Sequence, residues 1–248
     1  MRIKISLRKE KFTLPMAYQE ILQGIIFAML SRNELGTKYH DEGYRYNKKT
    51  FKCFVFSNIL GKFSIMNKKI IFDEYFSFYI ASQDEKFIQT IYQVLMNNKF
   101  LFFGKTPVEI VKIELIKERP FKGVRKITLE TLSPVLIYST TNDYSTYYKM
   151  SDAISKQYIL QNIEDKTKAY GYPIDEIVFH IVNVNYEKRR MVEFKNCYYC
   201  CYSGELEVET NYDTLLFVLN CGLSSKGSAG FGMVKIKNEK DNLFISQW

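Results

Sequence analysis

A glycine-rich stretch near the end of the sequence has residue types suited to holding a phosphate. Residues 222–232 read Gly-Leu-Ser-Ser-Lys-Gly-Ser-Ala-Gly-Phe-Gly. Glycines let the backbone approach a ligand closely, consecutive N–H groups can form a nest for an anion, and Lys226 adds a cation. The stretch follows a predicted helix and enters a predicted strand, so it is neither a P-loop nor a dinucleotide-binding turn. We expect it to contact phosphate or nucleic acid; the alternative is a loop whose glycines serve only its turns.

A second candidate for chemistry is His40, in the polar segment Lys-Tyr-His-Asp-Glu-Gly-Tyr at residues 38–44. Four basic residues follow it closely: Arg45, Lys48, Lys49 and Lys52. An imidazole titrates near neutral pH and can act as a general base, while lysines can stabilise the charge that develops when a phosphate is attacked. The alternative is an ordinary surface histidine. His180, in an apolar strand-like run, is expected to be structural.

Cysteine spacing gives only weak grounds for a metal site. Cys197 and Cys200 form one CxxC pair, and His180 with Cys201 or Cys221 could complete a zinc set. However, no second CxxC pair and no DxD or HExxH pattern occurs in the sequence. Residues 197–202 also form an aromatic, β-prone run in which neighbouring side chains face opposite sides. We therefore predict free strand cysteines and no bound metal.

The composition favours a basic globular protein with a polyanionic partner. The chain has 248 residues, 46% of them hydrophobic, and 35 Lys and Arg against 27 Asp and Glu give a net charge of +8. Such a charge attracts nucleic acid, because each neutralised phosphate releases a counterion; a merely soluble basic protein is the alternative. No secretory signal and no apolar run long enough to span a membrane are found. We expect a cytoplasmic protein with no membrane partner.

The hydrophobic pattern of the first half predicts the elements that must position these candidates. Residues 2–8 alternate as a half-buried strand, and residues 18–30 carry a helical stripe. The remaining predicted elements are strands at 51–56, 63–71, 75–82 and 108–116, and a helix at 84–96. Apart from one additional strand between the helices, the order is strand, helix, strand, strand, helix, strand. That is the order of a ferredoxin-like domain, in which two helices cover one face of an antiparallel sheet.

A weaker version of the same pattern follows a linker marked by Pro120 and Gly123. The predicted elements are a strand at 126–137, a helix at 151–168, strands at 177–185 and 191–208, a helix at 212–220 and a strand at 233–236. Turns are predicted at residues 133–134 and 203–204, and Ile154, Tyr158, Ile159 and Ile163 are predicted to line one helix face. We therefore predict an α+β fold of two tandem ferredoxin-like domains, at 1–119 and 124–248, similar to RNA-recognition motifs.

Several stretches occur in an order that is familiar from one family. Gly230-Phe231-Gly232 fits the second half of a signature loop that precedes the last strand, whereas Ser224 replaces a glycine of its first half. The other stretches are Tyr-Gln-Glu-Ile-Leu-Gln-Gly-Ile-Ile-Phe at 18–27, Tyr-His-Asp-Glu-Gly at 39–43, Phe-Val-Phe-Ser-Asn-Ile-Leu-Gly at 54–61, Phe-Tyr-Ile-Ala-Ser at 78–82 and Thr-Leu-Ser-Pro-Val at 131–135. Across essentially the whole chain, the sequence resembles the CRISPR-associated repeat-RNA endoribonucleases, the sixth Cas family.

The resemblance implies a protein that binds CRISPR repeat RNA and cuts the precursor RNA once per repeat, with no metal or other cofactor. The ribose 2′-OH would attack the adjacent phosphate and leave a 2′,3′-cyclic phosphate and a 5′-OH. His40 matches the position of the family's general base, and Lys52 or Lys48 that of an assisting lysine. Because Phe27 stands where the first helix often has a tyrosine, Tyr39 or Tyr44 would take that role.

The resemblance also implies which residues contact the RNA. The implied contacts are Gly222, Ser224, Lys226, Gly227, Gly230 and Gly232, with Arg125 and Lys126 as further candidates. Residues 188–190 (Lys-Arg-Arg) are either additional contacts or a solvated hairpin turn. Two rivals remain: a non-catalytic RNA-binding subunit of a CRISPR effector complex, and a scaffold protein that coats nucleic acid in such a complex. His40 speaks against the first.

Overall fold

A computed structural model describes residues 1–30, 42–52, 54–142 and 144–237, together with the backbone of residues 244–246. Within these ranges the chain forms two main antiparallel sheets, and each packs against helices around an apolar core of its own. No helix in these ranges is long and apolar enough to cross a membrane.

The first half follows the predicted ferredoxin-like order with extra hairpins. Its elements are β1 (Arg2–Arg8), β2 (Phe12–Pro15), α1 (Gln19–Leu30), β3 (Tyr44–Tyr46), β4 (Lys49–Phe51), β5 (Phe54–Phe56), β6 (Leu60–Met66), β7 (Lys69–Ser82), α2 (Glu85–Met96), β8 (Phe100–Phe103) and β9 (Thr106–Lys117). Strand β1 lies between β9 and β7, and β5 pairs with the end of β7. The resulting order, β9-β1-β7-β5, places the first and third strands of the unit at the centre, as in a ferredoxin-like domain.

Alternation along β1 explains how this half is held together. Ile3, Ile5 and Leu7 are fully buried on one face of the sheet. They belong to one apolar core with the inner stripes of the two helices, which include Leu22 of α1 and Ile88 of α2. Burying each such side chain contributes about 1.5–3 kcal/mol. Apolar residues recur every second position in the strand and about every 3.6 positions in the helices, and this spacing lets both helices pack on the same face of the sheet.

The second half repeats the arrangement. Its elements are β10 (Arg125–Thr131), β11 (Tyr138–Thr141), β12 (Tyr144–Tyr147), α3 (Ala153–Tyr170), β13 (Phe179–Phe194), β14 (Cys197–Thr210), α4 (Tyr212–Cys221), a short 3₁₀ turn (Gly227–Ala229), β15 (Val234–Ile236) and β16 (Phe244–Ser246). The sheet order is β13-β14-β10-β15, again ferredoxin-like. Strand β16 does not join this sheet; it pairs with β9 of the first one.

The predicted fold class, an α+β protein with two tandem ferredoxin-like units, is confirmed by these two sheet orders. The predicted division at residues 119–124 stays a prediction. It falls between β9 and β10, but the return of β16 to the first sheet means that the last described strand lies outside the second sheet.

One predicted strand and one predicted turn were wrong for identifiable reasons. The run 63–71 is not one strand but the end of β6 and the start of β7, because Asn67 and Lys68 adopt left-handed φ values of 49° and 59° and form a turn without glycine. The turn predicted at 203–204 is absent, since β14 is continuous there. Gly204 instead accommodates the backbone of the paired strand: a Cβ would lie 2.8 Å from the carbonyl oxygen of Asn185. The real turn is at residues 195–196.

The predicted face of helix α3 was also partly wrong. Ile159 and Ile163 are buried, as expected, but Ile154 and Tyr158 are 38% and 37% exposed. Residues 154 and 158 form a neighbouring row on the helix, and that row faces away from the core of the second half. Tyr158 is therefore available to a surface cavity rather than to the core.

Candidate functional site

The glycine-rich stretch packs against the first half of the protein. Gly222 has φ of 70°, and a Cβ there would lie 2.9 Å from both Gly232 O and a methyl group of Val55. Gly230 has φ of 84°, and a Cβ there would lie 2.7 Å from the Phe56 ring. At both positions the positive φ and the close contact of an added Cβ mean that any residue other than glycine would be strained. These glycines therefore let the loop close on itself and on strand β5.

Most of the loop residues that were predicted to contact RNA are buried against protein. Gly222, Gly227, Gly230 and Gly232 are buried, and so is Ser224. The Ser224 hydroxyl accepts a hydrogen bond of 2.8 Å from Leu136 N. Ser225 is exposed and Lys226 is half-buried. A direct phosphate contact by the glycine backbone stays a prediction, whereas Ser225 and Lys226 form the accessible part of the loop.

A buried lysine on helix α3 fixes this loop. Lys166 donates hydrogen bonds of 2.9, 2.8 and 2.8 Å to the carbonyl oxygens of Cys221, Gly222 and Ser224, and it is only 2% exposed. Burial lowers the pKa of Lys166 to about 8, an effect that the neighbouring Cys221 opposes. One turn earlier, Asn162 Nδ2 donates to Leu223 O at 2.8 Å. Helix α3 thereby holds four successive backbone positions at the start of the loop.

A cavity of about 400 Å³ opens beside the fixed loop. It is bounded by strand β4 of the first half and, in the second half, by the segment that enters β11, by helix α3 and by the glycine loop. The lining residues are Lys49, Thr50, Phe51, Leu136, Ile137, Tyr138, Tyr158, Ile159, Gln161, Asn162, Leu223, Ser225 and Lys226. The cavity is thus a meeting point of the two halves.

Two lysines give the lining of this cavity a positive charge that suits an anion. Lys226 Nζ lies 5.5 Å from the ring centre of Tyr199 and 6.0 Å from that of Tyr138, close enough for cation–π attraction. Lys49 Nζ lies 2.6 Å from the Asp165 carboxylate and its side chain is 60% exposed. Within the described chain, no acidic residue lines the cavity. A phosphate in the cavity would therefore meet two ammonium groups, one of them partly neutralised by Asp165.

The residues that were predicted to catalyse are only partly described. His40 and Tyr39 lie outside the described residues. Lys48 is exposed in the turn between β3 and β4. Lys52 directly follows β4, where its carbonyl oxygen accepts a hydrogen bond of 2.8 Å from the Tyr170 hydroxyl. Of the basic residues in this hairpin, Lys49 is the one that lines the cavity.

Arg125 and Lys126 lie apart from the glycine loop. They line a second cavity of about 430 Å³ that shares no lining residue with the first one. The Arg125 guanidinium lies 4.8 Å from the ring centre of Phe121. Lys126 Nζ lies 2.8 Å from the Glu207 carboxylate, and this contact raises the pKa of Lys126. The predicted RNA contacts therefore fall into two separate places.

The other basic and metal candidates lie along strands. Residues 188–190 belong to β13 and not to a turn, and Arg189 Nε lies 3.1 Å from Cys200 Sγ. Cys197 to Cys201 lie on β14, as the aromatic run predicted, with Cys200 and Cys201 buried and Cys197 exposed. Over the described ranges, no three His, Cys, Asp or Glu side chains come together as a metal site.

Four cavity residues were missed from the sequence: Tyr138, Tyr158, Gln161 and Asn162. Tyr138 belongs to a hairpin, β11–β12, that the hydrophobic pattern did not predict. Tyr158 was assigned to the packed face of α3. Gln161 and Asn162 could have been found from a weak signal in the sequence. They are polar residues close to the buried Ile159 and Ile163 on helix α3, and such positions mark the boundary of the apolar face of the helix.

Comparisons with known proteins agree with this architecture. The family model described as CRISPR associated protein Cas6, C-terminal, matches residues 116–236. CRISPR-associated endoribonuclease Cas6 1 of Methanocaldococcus jannaschii is 27% identical over 252 residues, which cover 97% of this chain and 96% of that protein. CRISPR-associated endoribonuclease Cas6 2 of the same organism is 24% identical over 262 residues, covering 94% and 98%.

Solved structures share the fold over nearly the whole length. A structure described as CRISPR associated protein Cas6 has a TM-score of 0.73 at 24% identity, covering 96% of this chain and 99% of the other. A Cas6-related protein from Pyrococcus furiosus has a TM-score of 0.74 at 20% identity, covering 97% and 99%. An RAMP protein described as binding different RNA substrates has a TM-score of 0.74 at 18% identity, covering 96% and 100%.

Proposed function

We propose that this chain is a member of the Cas6 family of CRISPR-associated proteins, and that it is an endoribonuclease that binds CRISPR repeat RNA and cuts the precursor RNA. Two relatives that match this chain along almost their full length are named as endoribonucleases. The observation that supports this function best in the molecule itself is the cavity between β4, α3 and the glycine loop, lined by Lys49 and Lys226. An RNA backbone at this cavity would meet cations from both halves of the protein.

The proposed reaction needs no metal ion. The ribose 2′-oxygen attacks the adjacent phosphorus, its proton passes to a general base, and the bond from phosphorus to the 5′-oxygen breaks. The 5′-oxygen takes up a proton, so the products are a 2′,3′-cyclic phosphate and a 5′-OH. The protein must supply in-line positioning, a base, an acid and stabilisation of the charge that develops on the phosphate.

We assign the base to His40, which lies two residues before the described segment that begins at residue 42. The hairpin formed by β3 and β4 follows directly, and its Lys49 lines the cavity. Lys49, Lys48 and Lys52 are the candidates for stabilising the phosphate charge. Tyr39, next to the proposed base, is the candidate for positioning. The RNA itself would be held by Lys226 and Ser225 of the glycine loop.

The test is cleavage of the host's own repeat RNA in the presence of EDTA. The wild type is expected to cut once per repeat and to leave a 2′,3′-cyclic phosphate. His40→Ala is expected to bind the RNA with similar affinity and to cut at least about 100-fold more slowly, the usual contribution of a general base. His180→Ala is the matched control, because the only other histidine is exposed on β13 and does not line the cavity.

Three outcomes would contradict the proposal in different ways. Loss of wild-type cleavage in EDTA would overturn the metal-free route. Full cleavage by His40→Ala would overturn the assignment of the base. Tight binding of repeat RNA without any cleavage by the wild type would instead indicate a non-catalytic RNA-binding subunit of a CRISPR effector complex.

A further inference from the structure

Two tyrosines line the cavity, each backed by another aromatic ring. Tyr138 of β11 has its ring centre 6.1 Å from that of Tyr147, and Tyr158 of α3 has its ring centre 5.5 Å from that of Tyr148. Both rings line the cavity between them. Rings supported in this way keep their orientation, and flat aromatic surfaces are where unpaired RNA bases stack.

The cavity is the size of a small-ligand site. Its volume of about 400 Å³ lies near the lower end of the range of about 300–1,000 Å³ that is typical of such sites. A double-helical segment is too wide to enter a space of this size. A single nucleotide that has left the stack can enter it, with its phosphate outside near the lysines.

Two amide side chains on the cavity wall have a fixed orientation. Gln161 Nε2 donates to the Asp165 carboxylate at 3.0 Å, and Asn162 Nδ2 donates to Leu223 O at 2.8 Å. A carboxylate and a carbonyl oxygen only accept hydrogen bonds, so each amide must present its amino group to them. The two amide oxygens are therefore left as acceptors for a ligand in the cavity, which favours a base that carries an exocyclic amino group.

Lys226 completes the chemistry of a nucleotide site. Its ammonium lies 6.0 Å from the ring centre of Tyr138 and 5.5 Å from that of Tyr199. The ammonium is thus held next to the aromatic wall, where the phosphate attached to a stacked base would lie. Aromatic surface, hydrogen-bond acceptors and a cation are the three groups that recognise base, base edge and phosphate.

We propose that this cavity binds one unpaired nucleotide of the RNA, whose base stacks on Tyr138 or Tyr158 and whose exocyclic amino group donates to Gln161. The inference rests on the proposed function, because it takes repeat RNA as the ligand. It adds a sequence-reading subsite, with Gln161 as the residue that determines which base is accepted.

The test replaces each unpaired nucleotide of the repeat RNA, one at a time, by an abasic nucleotide. With the wild-type protein, one position is expected at which the abasic RNA binds about tenfold or more weakly than the intact RNA, as for loss of one base–aromatic stack. Tyr138→Leu and Tyr158→Leu are expected to bind intact RNA more weakly than the wild type by a similar factor. With the abasic RNA, the affinities of these variants are expected to be nearly the same as that of the wild type. Such non-additivity identifies a direct contact.

Matched variants separate stacking from other roles. Tyr138→Phe keeps the ring and is expected to bind RNA within about twofold of the wild-type affinity. If Tyr138→Phe instead binds as weakly as Tyr138→Leu, the hydroxyl group makes the contact, for example by a hydrogen bond to phosphate, and the stacking arrangement is overturned. Tyr144→Leu is the control, because Tyr144 is 80% exposed on the neighbouring strand β12 and does not line the cavity.

The base preference is tested at the same position with a base analogue that lacks the amino group. The wild type is expected to bind this RNA several-fold more weakly than the natural one, while Gln161→Leu is expected to bind both equally. Uracil at that position, or equal discrimination by both proteins, would overturn the role of Gln161.

The two levels of the proposal fail differently. If the wild type neither binds nor cuts repeat RNA, the proposed function fails and the subsite with it. If the wild type binds and cuts normally, but the abasic and Tyr→Leu losses simply add at every position, the subsite alone is overturned. The abasic series with the wild type needs no protein variant, so recognition of one unpaired nucleotide is established independently of how well the variants fold, and the Tyr→Leu variants then assign that nucleotide to this cavity.

Discussion

The ammonium group of Lys49, on strand β4, lies 2.6 Å from the carboxylate of Asp165 on helix α3, so an ion pair joins the two halves of the chain beside the cavity. The next residue of the helix, Lys166, holds the backbone at the start of the glycine loop. Adjacent residues of α3 therefore fix two walls of the cavity, one that carries Lys49 and one that carries Lys226.

The first prediction concerns Lys49 as an RNA contact. We expect Lys49→Met to weaken binding of repeat RNA and to reduce the slope of log affinity against log salt by less than about 0.7, the value for one full phosphate contact on a single strand, because Asp165 already neutralises part of the charge of Lys49. Affinities measured over a series of salt concentrations check this. Lys156→Met is the control, because Lys156 is exposed on the same helix and outside the cavity lining. An equal change of slope in both variants would mean that only the overall charge matters.

The second prediction compares two lysines that the sequence placed in the same role. Lys226 carries no salt bridge among those of the described residues and lines the first cavity, whereas Lys126 is paired with Glu207 at 2.8 Å in another place. We expect Lys226→Ala to weaken RNA binding clearly more than Lys126→Ala, because a paired lysine must lose its carboxylate before it neutralises a phosphate. Titration of both variants with the same repeat RNA decides this, and the reverse ranking would assign RNA binding to the second cavity.

The third prediction uses the pH dependence of stability. Burial lowers the pKa of Lys166 from 10.5 to about 8. Between these two pH values the Lys166 amine is protonated in the unfolded chain but has lost its proton in the folded protein. The contribution of Lys166 to the free energy of unfolding therefore becomes more favourable to the folded state as the pH rises. We expect the difference in unfolding free energy between wild type and Lys166→Met to grow by about 3 kcal/mol from pH 8 to pH 10.5.

Comparison with the variant is necessary because other buried groups act in the opposite direction. Burial raises the pKa of Cys201 and of Cys221 from 9.0 to about 12, so both contributions fall as the pH rises above 9. These thiols are present in both proteins, and the difference leaves mainly the effect of Lys166. Urea unfolding at pH 8, 9 and 10 measures it, and a difference that stays constant with pH would contradict a buried ammonium at this position.

The fourth prediction concerns crowding at Gly230. Gly230→Ala is expected to lower the free energy of unfolding by about 2–4 kcal/mol, because the added methyl meets the Phe56 ring at 2.7 Å and φ is 84°. Gly171→Ala is the matched control, since Gly171 has φ of 60° but no atom within 4 Å of an added Cβ. That variant is expected to lose only about 1 kcal/mol from backbone strain. Equal losses would show that contact with Phe56 contributes nothing.

The fold was largely predictable because its information is local and periodic. The alternation of Ile3, Ile5 and Leu7 gives a strand with one buried face, and the stripes of α1 and α2 give helices that can cover it. The arrangement of two such units follows from their order along the chain. The turn at Asn67 and Lys68 was missed because it contains neither glycine nor proline, and Asn67 is its one local signal, since asparagine adopts positive φ more readily than other non-glycine residues.

The candidate site was much less predictable because it depends on contacts between distant segments. The glycines were correctly identified as positions of close backbone approach, but the partner of that approach is strand β5, about 170 residues earlier. Nothing local distinguishes Lys49 from Lys48, since only the register of the β3–β4 hairpin decides which one lines the cavity. Likewise, Tyr158 has the spacing of a core residue and differs from Ile159 only by one position around the helix.

The pairing of β16 with β9 has a consequence for how the halves can move. The chain passes from the first half to the second once, after β9, and it comes back when Phe244–Ser246 adds to that same strand. The two halves are therefore linked at two places, and a hinge rotation of one half relative to the other would have to break the pairing of β16 with β9. A strand of nucleic acid would therefore reach the cavity along the protein surface, without a movement in which the two halves open and close around it.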